Sequence, residues 1–190
     1  DTIMVIRIPN DGSSATAISI PRDTYIHDDD LGNTKINGVY SGHKAIEKER
    51  LLAEGEKEGP SLERKAKAAG QRGLINAISD LTGISVDHYA EVGLVGFVLL
   101  TDAVGGVEVC LNAPVNDEFS GANFPAGRQV LNGAQGLAFV RQRHGLPRGD
   151  LDRIVRQQAY MASLVSKILS TNMLQGGTLL KLQDAAKRSL

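Results

Sequence analysis

The chain has 190 residues, of which 42% are hydrophobic, and its formal net charge at neutral pH is -1. This composition fits a globular domain with a real core, and it lacks the strongly basic balance of nucleic-acid-binding proteins. Aromatic residues make up only 4% of the chain and tryptophan is absent, which disfavours a base-stacking surface. No signal peptide or membrane-spanning stretch is visible. The abrupt start at Asp1 predicts a fragment whose membrane anchor and any C-terminal domain lie outside this sequence.

The first part of the chain predicts a β-hairpin. Residues 2–8 and 15–20 are rich in β-branched residues, and the turn signal Pro-Asn-Asp-Gly at 9–12 separates them. Residues 21–24 then break the strand pattern. Arg22 and Asp23 therefore lie where a strand gives way to a loop, a position at which a rigid scaffold often holds functional groups.

Residues 43–72 form a highly charged segment that Gly59-Pro60 divides into two weakly helical pieces. The charge density predicts a solvated, mobile insertion, with a docking surface as the alternative. An apolar helical pattern returns at residues 73–81, and Gly83 is placed to end that helix.

The remaining sequence alternates strand and helix patterns, which indicates the α/β class. We predict a single domain over residues 1–190, an α/β/α layered fold in which helices flank a central mixed β-sheet. Asn132 and Asp150 are predicted helix caps. The predicted elements are a strand at 88–92, a helix at 93–104, a strand at 107–111, a long loop at 111–130, a helix from Asn132 to about Arg143, the longest helix from Leu151 to about Ser170, and a short helix after Gly176-Gly177.

Five arginines fall within the sixteen residues from Arg141 to Arg156. On the long helix the apolar residues are expected to face the core, with a polar set on the opposite or flanking face. The predicted core stripe is Leu151, Ile154, Val155, Ala162, Val165, Ile168 and Leu169, and the predicted polar set is Arg153, Arg156, Gln157 and Tyr160.

This arginine cluster favours an anion-binding site. Arginine at a helix N-terminus disfavours the helix but suits a bound anion, which the free N–H groups also attract. Arg141 and Arg143 have a simpler explanation, because cations at a helix C-terminus gain about 0.3–1 kcal/mol from the dipole. The Gly-Pro-Gly linker at 145–149 could nevertheless bring Arg141, Arg143 and Arg153 around one anion, and the guanidinium fork suits phosphate oxygens.

Carboxylates and histidines give weaker signals. Four aspartates could each be a helix cap or an ion-pair partner, or a Mg²⁺ ligand if phosphate binds: Asp1, Asp23, Asp150 and Asp152. The acidic run at residues 28–30 predicts a solvated loop rather than a metal site. No histidine among His27, His43, His88 and His144 has a partner at a recognisable spacing. Serine-hydrolase and P-loop motifs are absent.

Several ordered motifs resemble the LytR–CpsA–Psr family of cell-wall glycopolymer ligases over essentially the whole chain. The length of the charged insertion, together with the Arg-Gln-Arg-His-Gly-Leu-Pro run at 141–147, looks actinobacterial, which would imply an arabinogalactan-like polymer. The matching blocks are Asp1-Thr2-Ile3-Met4, residues 19–24 (Ser-Ile-Pro-Arg-Asp-Thr), 35–40 (Lys-Ile-Asn-Gly-Val-Tyr), 82–84 with His88-Tyr89, 102–107 (Asp-Ala-Val-Gly-Gly-Val), 138–144 (Ala-Phe-Val-Arg-Gln-Arg-His), and 149–157.

The resemblance implies a role for each matching residue. Asp1 would be a catalytic residue that binds Mg²⁺, and Arg22, Arg141 and Arg143 would be catalytic residues that bind the pyrophosphate of a polyprenyl lipid. Two residues of the long helix would complete the pyrophosphate site, namely Arg153 and Gln157. The family's lipid tail lies in an apolar tunnel, which the predicted helix at 93–104 could line, although an ordinary core helix fits that sequence equally well. A further Mg²⁺-binding aspartate and an arginine of the family precede the Asp1 position and are not in this sequence.

The implied activity is a Mg²⁺-dependent phosphotransfer at the extracytoplasmic face of the bacterial membrane. A polyprenyl-pyrophosphate-linked glycan would be the donor and peptidoglycan the acceptor, with no nucleic acid involved. Asp1 and Asp23 are the candidates for a general base. Two alternatives stay open, a pyrophosphatase acting on lipid pyrophosphates and a non-catalytic module that binds polyprenyl phosphate or glycopolymer.

Overall fold

The computed structural model describes residues 2–10 and 16–169. The chain divides into two compact units, Asp1–Ala90 and Glu91–Leu190. In the described residues these units contain five helices and eight strands, which confirms the α/β class. Within the same residues the strands pair two by two and all four pairs are antiparallel, so the predicted central mixed β-sheet is replaced by small antiparallel sheets. The single domain over residues 1–190 stays a prediction.

The first unit opens with the hairpin that the sequence predicts. The two strands pair in antiparallel register, with Ile3 opposite Ile20, and both of these side chains are buried together with Ile36 and Ile78. The elements of this unit are β1 (Ile3–Arg7), β2 (Thr16–Ile20), β3 (Tyr25–Asp28), β4 (Gly32–Lys35), α1 (Ile36–Ala53) and α2 (Pro60–Thr82).

The charged segment 43–72 is part of two long helices packed against each other, and this corrects the prediction of an insertion made of weak helices. Its inner face is apolar, because α1 buries Leu51 and α2 buries Leu62 and Ala66. Close packing is aided by Gly70, where a Cβ atom would lie 2.6 Å from the carbonyl oxygen of Tyr40. The predicted break is correct, since α2 begins at the proline of Gly59-Pro60. The apolar stripe on which this packing depends was not predicted, because it lies among many charged residues in the sequence.

The end of α2 follows the prediction, whereas the next predicted strand is wrong. Gly83 adopts a positive φ of 69° as the C-cap, and its N–H donates to the carbonyl of Ser79. Residues 88–92 form no regular structure. Only Val92 in this stretch is β-branched, and its side chain is exposed, so the segment has little apolar surface to bury as a strand.

In the second unit the predicted helix and strand before residue 111 are confirmed, whereas the long loop predicted after them is wrong. Short strands occupy much of residues 111–130, because the proline and glycine residues there mark tight turns between strands. The strands pair as β5 with β8 and β6 with β7. The elements are α3 (Leu94–Ala103), β5 (Val107–Leu111), β6 (Val115–Asp117), β7 (Ala122–Phe124), β8 (Gly127–Leu131), α4 (Gly133–Arg141) and α5 (Asp150–Leu169).

The two predicted helix starts have different outcomes. Asn132 caps α4 as predicted, in a reciprocal capping box with Gln135 that satisfies two backbone N–H groups. The helix ends at Arg141, two residues earlier than predicted. Asp150 is the first residue of α5 rather than its cap, and within the described part of the chain α2, with 23 residues, is longer than α5, with 20. The predicted helix after residue 177 lies outside the described residues.

The buried face of α5 is the polar one, which reverses the prediction. Leu151 and Val155, expected in the core, are 57% and 52% exposed. The polar side chains can be buried because they have partners: the hydroxyls of Tyr160 and Thr101 lie 3.0 Å apart, and the Gln157 amide donates to a backbone carbonyl. Among the α5 residues whose burial the structure describes, 150–167, the buried ones are Arg153, Gln157, Tyr160 and Leu164.

The fit of Tyr160 against α4 gives a testable prediction. A Cβ atom added at Gly136 would overlap the Tyr160 hydroxyl and lie 2.8 Å from its Cζ atom. We expect Gly136→Ala to lower the free energy of unfolding by about 1–3 kcal/mol through overpacking, despite alanine's better helix propensity. Urea denaturation measures this change. Gly93→Ala is the control, because that Cβ would meet no atom within 4 Å and φ there is -72°; equal stability of the two variants would contradict the prediction.

Candidate functional site

Two predicted arginines of the second unit line one pocket of about 140 Å³, which we call the arginine pocket. One wall comes from the segment that follows α4, and the other comes from the end of β6 and the turn to β7. The residues that line it are Asp117, Phe119, Ser120, Arg141, Arg143 and His144. Of the three arginines predicted to surround one anion, Arg141 and Arg143 line this pocket, whereas Arg153 does not.

The end of α4 places the two arginines. The helix stops at Arg141, and the backbone becomes extended at Gln142, with ψ at 133°. Neighbouring side chains of an extended segment point in different directions. Accordingly, Gln142 is buried, whereas Arg141 and Arg143 are exposed and line the pocket.

A buried hydrogen-bond network fixes this segment. The Gln142 amide donates to the carbonyl of His144 over 3.0 Å, and its Oε1 accepts from the Arg156 guanidinium. Arg156 also lies over the ring of Phe139, 5.1 Å from the centroid. Burial lowers the pKa of Arg156 and outweighs the opposing effect of Asp152. The network holds the backbone that carries the pocket side chains.

Arg153 and Gln157 lie behind this segment on the buried face of α5. Gln157 donates to the carbonyl of Val140 over 3.0 Å, and Arg153 is ion-paired with Asp150. The same Asp150 oxygen lies 3.5 Å from Arg143. The carboxylate of Asp150 thus lies between Arg143 and Arg153, and the binding of a phosphate anion by these arginines stays a prediction. That Arg153 and Gln157 bind a ligand stays a prediction.

The residues that form the opposite wall of the arginine pocket were not predicted from the sequence. Asp117 is buried and accepts from the N–H of Phe119 over 3.1 Å and from the Ser120 hydroxyl over 2.8 Å. Burial acts to raise the pKa of Asp117, but these hydrogen bonds and the nearby His144 outweigh it, so that the pKa lies below 3.8. Nδ1 of His144 lies 3.7 Å from Asp117, and its ring packs on Phe119 with centroids 4.4 Å apart. His144 therefore has a carboxylate partner 27 residues earlier in the chain.

Asp152, a predicted cap or ion-pair partner, is an ion-pair partner of Arg148 in the first turn of α5. It accepts from the backbone N–H of Arg148 over 2.9 Å and from the Arg148 guanidinium over 2.7 Å. The backbone hydrogen bond and then the side-chain hydrogen bond lower the pKa of Asp152 below 3.8. This pair fixes the entry into α5.

The lowered pKa of Asp152 predicts a pH-dependent stability. A carboxylate whose pKa falls on folding stabilises the protein above its unfolded value of 3.8 and loses that effect as pH falls through the folded value. We therefore expect Asp152→Asn to lower the free energy of unfolding at about pH 7, with the difference from wild type shrinking toward about pH 3. Urea titrations at both pH values measure it. A difference that does not change with pH would contradict the assignment, and Asp87→Asn, in an exposed loop, is the control.

The first unit contains the remaining predicted site residues. Arg22 follows β2, and its carbonyl accepts from the N–H of Asn37 over 3.2 Å. Asp23, a candidate base, is ion-paired with Lys35 over 3.0 Å. Asp1, the predicted catalytic and metal-binding residue, lies outside the described residues.

In the acidic run at 28–30, Asp29 and Asp30 are exposed as predicted, whereas Asp28 is part-buried. Asp28 accepts from the N–H groups of Asp30 and Leu31, each over 3.0 Å, and from Nε2 of His43 over 2.9 Å. Burial acts to raise the pKa of Asp28, but the His43 contact and the backbone hydrogen bonds outweigh it and lower the pKa. These contacts tie the turn between β3 and β4 to α1, which accounts for the cluster structurally.

The sequence as a whole matches the LytR_cpsA_psr family model over residues 1–190. The chain belongs to this family. It is 67% identical to the cell wall biosynthesis protein LcpA of Corynebacterium glutamicum, over 100% of the chain and 37% of LcpA. It is 30% identical to a protein of Bacillus mycoides named polyisoprenyl-teichoic acid–peptidoglycan teichoic acid transferase TagU, over 100% of the chain and 54% of TagU.

The fold agrees with this membership. The structure of a LytR-Csp2A-Psr enzyme from Actinomyces oris superposes with a TM-score of 0.71 at 22% identity, and covers 99% of this chain and 63% of that one. At this identity the likeness concerns the fold alone. The chain spans about one third to one half of the length of LcpA and TagU.

In this LytR–CpsA–Psr chain, α3 differs from an ordinary core helix. Its sequence is almost entirely apolar, yet its buried residues are Gly96 and Thr101, and Leu94 and Val95 are exposed. Among the described residues no helix combines the length and apolar character needed to cross a membrane.

Proposed function

We propose that this chain transfers a glycopolymer from a polyprenyl-pyrophosphate carrier to peptidoglycan. The observation that carries the proposal is the convergence of Arg141 and Arg143 on one pocket, since paired guanidinium forks suit phosphate oxygens. The names of LcpA and TagU, which refer to cell wall biosynthesis and to teichoic acid transfer to peptidoglycan, support the same chemistry. Such a reaction would take place in the cell envelope, at the extracytoplasmic face of the membrane.

The proposed reaction is a phosphotransfer. A peptidoglycan hydroxyl attacks the glycan-side phosphorus, and polyprenyl monophosphate leaves with the electron pair of the bridging P–O bond. Negative charge on the phosphate oxygens must be stabilised as that bond breaks. Arg141 and Arg143 supply this stabilisation from the arginine pocket, and Arg22 is proposed to add to it. As the structure describes them, Gln157 holds the end of α4 through the Val140 carbonyl, and Arg153 is ion-paired with Asp150 in the first turn of α5.

We include Mg²⁺ in the proposal as the cofactor. Asp1 would hold it, and a carboxylate oxygen combined with substrate phosphates is the ligand set that Mg²⁺ commonly takes. The ion would supply a further positive charge against the pyrophosphate. Asp1 lies outside the described residues, so the proposal for the metal depends on the family resemblance and on this donor chemistry.

The lipid part of the donor is proposed to contact α3. Exposed apolar side chains at Leu94 and Val95 are costly in water but suit a hydrocarbon chain. This observation favours the tunnel-lining interpretation of the helix over that of an ordinary core helix.

The proposal is tested with a synthetic polyprenyl-pyrophosphate-linked oligosaccharide and Mg²⁺, with and without a soluble peptidoglycan fragment. We expect glycosylated peptidoglycan and polyprenyl monophosphate, both dependent on the fragment, detected by mass spectrometry. Release of polyprenyl monophosphate at the same rate without the peptidoglycan fragment would favour the alternative function of a lipid pyrophosphatase. Tight binding of the donor with no turnover would favour the non-catalytic module.

A further inference from the structure

We propose that His144 is the general base that accepts the proton of the attacking hydroxyl, an inference that depends on the proposed function. A general base must lie within reach of the reacting group, so its position is considered first. His144 lines the same 140 Å³ pocket as Arg141 and Arg143. A pyrophosphate bound by these arginines therefore lies next to the imidazole.

Two side chains contact the imidazole, and a third holds its backbone. Asp117 lies 3.7 Å from Nδ1, the ring of Phe119 lies 4.4 Å away between centroids, and the Gln142 amide donates to the backbone carbonyl of His144 over 3.0 Å. A histidine in a solvated loop has no need of such an arrangement. The contacts orient the ring while leaving its side chain exposed to a substrate.

The position of Asp117 determines which imidazole nitrogen of His144 can accept a proton. A carboxylate beside Nδ1 favours the tautomer with its proton on Nδ1, which leaves Nε2 free to accept. Asp117 is suited to this role because the hydrogen bonds from Phe119 and Ser120 keep it ionised at neutral pH. The carboxylate also stabilises the imidazolium after proton transfer.

The proposed step transfers one proton, forms one P–O bond and breaks another. The hydroxyl oxygen forms a bond to the glycan-side phosphorus as its proton passes to Nε2 of His144. The bond from that phosphorus to the bridging oxygen breaks, and the electron pair leaves with polyprenyl monophosphate. The imidazolium then returns its proton to water. No oxidant or further reactant is needed.

The charged groups that face His144 are of both signs. Asp117 lies on the β6 side, and Arg141 and Arg143 lie on its own side of the pocket. A pyrophosphate bound to the two arginines would add negative charge beside the imidazole.

The test measures kcat and KM for transfer in the full-length protein over a range of pH. We expect His144→Gln to lower kcat on the order of 10²-fold with little change in KM, and to remove the fall of kcat at acid pH. Added imidazole should partly restore His144→Ala. Asp117→Asn should lower kcat while leaving donor binding intact. His88→Gln, in an exposed loop, is the matched control and should behave as wild type.

The outcomes separate this inference from the proposed function. Transfer by wild type combined with unchanged kcat and pH profile in His144→Gln would overturn the role of His144 and leave the proposed function standing. Failure of imidazole to restore His144→Ala, with a normal acid limb in His144→Gln, would likewise assign the ring a structural role. A wild-type protein that binds the donor without transferring it would overturn the proposed function, and this inference with it.

Discussion

Replacing Arg143 with alanine is expected to lower kcat/KM for glycopolymer transfer by about 10²–10³-fold, or roughly 3–4 kcal/mol. Arg143 and Arg141 line the same pocket, and the charge they stabilise grows as the P–O bond breaks. Loss of one guanidinium removes both a positive charge and a bidentate donor. Arg143→Lys should restore only part of the activity, because an ammonium group is a point charge without the planar fork.

Two measurements test this expectation on the same variants. Transfer kinetics give the change in kcat/KM, and calorimetry with a short polyprenyl pyrophosphate and Mg²⁺ gives the change in donor affinity. Arg128→Ala is the matched control, because Arg128 is an exposed arginine on β8 whose nearest described acidic partner is Glu108. Near-full transfer by Arg143→Ala, or an equal loss in Arg128→Ala, would contradict the assignment.

Local sequence signals predicted the elements that depend on local chemistry. The capping box at Asn132, the left-handed Gly83 and the proline that begins α2 at residue 60 all have direct causes in the backbone. The strand predicted at residues 88–92 failed because strand formation needs a partner. The strands of residues 115–124 were missed because three-residue strands carry too little periodicity to detect.

Hydropathy did not predict which face of α5 is buried. Leu151 and Val155 are exposed, and Arg153 and Gln157 are buried. The periodicity was real, but the face that contains long polar side chains is the one with hydrogen-bond partners inside the unit. Only the fold supplies those partners, so the sequence could not determine which face is buried.

The candidate site was predicted only in part for the same reason. Arg141 and Arg143 are two residues apart in a run rich in arginine, and that density is visible in the sequence. Asp117 and Phe119 lie more than twenty residues earlier, and only the pairing of β6 with β7 and the end of α4 bring them to His144. The sequence offers one signal for this wall, Asp117 three residues before Ser120 in a glycine-containing turn. That pattern indicates a turn and does not indicate a partner for a histidine.

Arg143 and Arg153 contact the same carboxylate but differ in burial. This difference predicts a binding role for Arg143 and a structural role for Arg153. Both lie within ion-pair distance of Asp150. The Arg143 side chain is 53% exposed and lines the arginine pocket, whereas that of Arg153 is 10% exposed. An exposed ion pair contributes little to stability, whereas removing one partner of a buried pair leaves a charge without compensation.

We therefore expect Arg153→Ala to lower the free energy of unfolding by about 2–3 kcal/mol, somewhat less than for a fully buried pair because Asp150 is partly exposed and stays near Arg143. Arg143→Ala should cost less than about 1 kcal/mol of stability. Urea denaturation of both variants, followed by calorimetry at a temperature where both are folded, measures the two effects independently. A stable Arg153→Ala protein that no longer binds the donor would show that Arg153 leaves Asp150 to bind pyrophosphate, as the family resemblance implies. A destabilised protein that still binds the donor would make Arg153 a residue that holds α5 against the pocket segment.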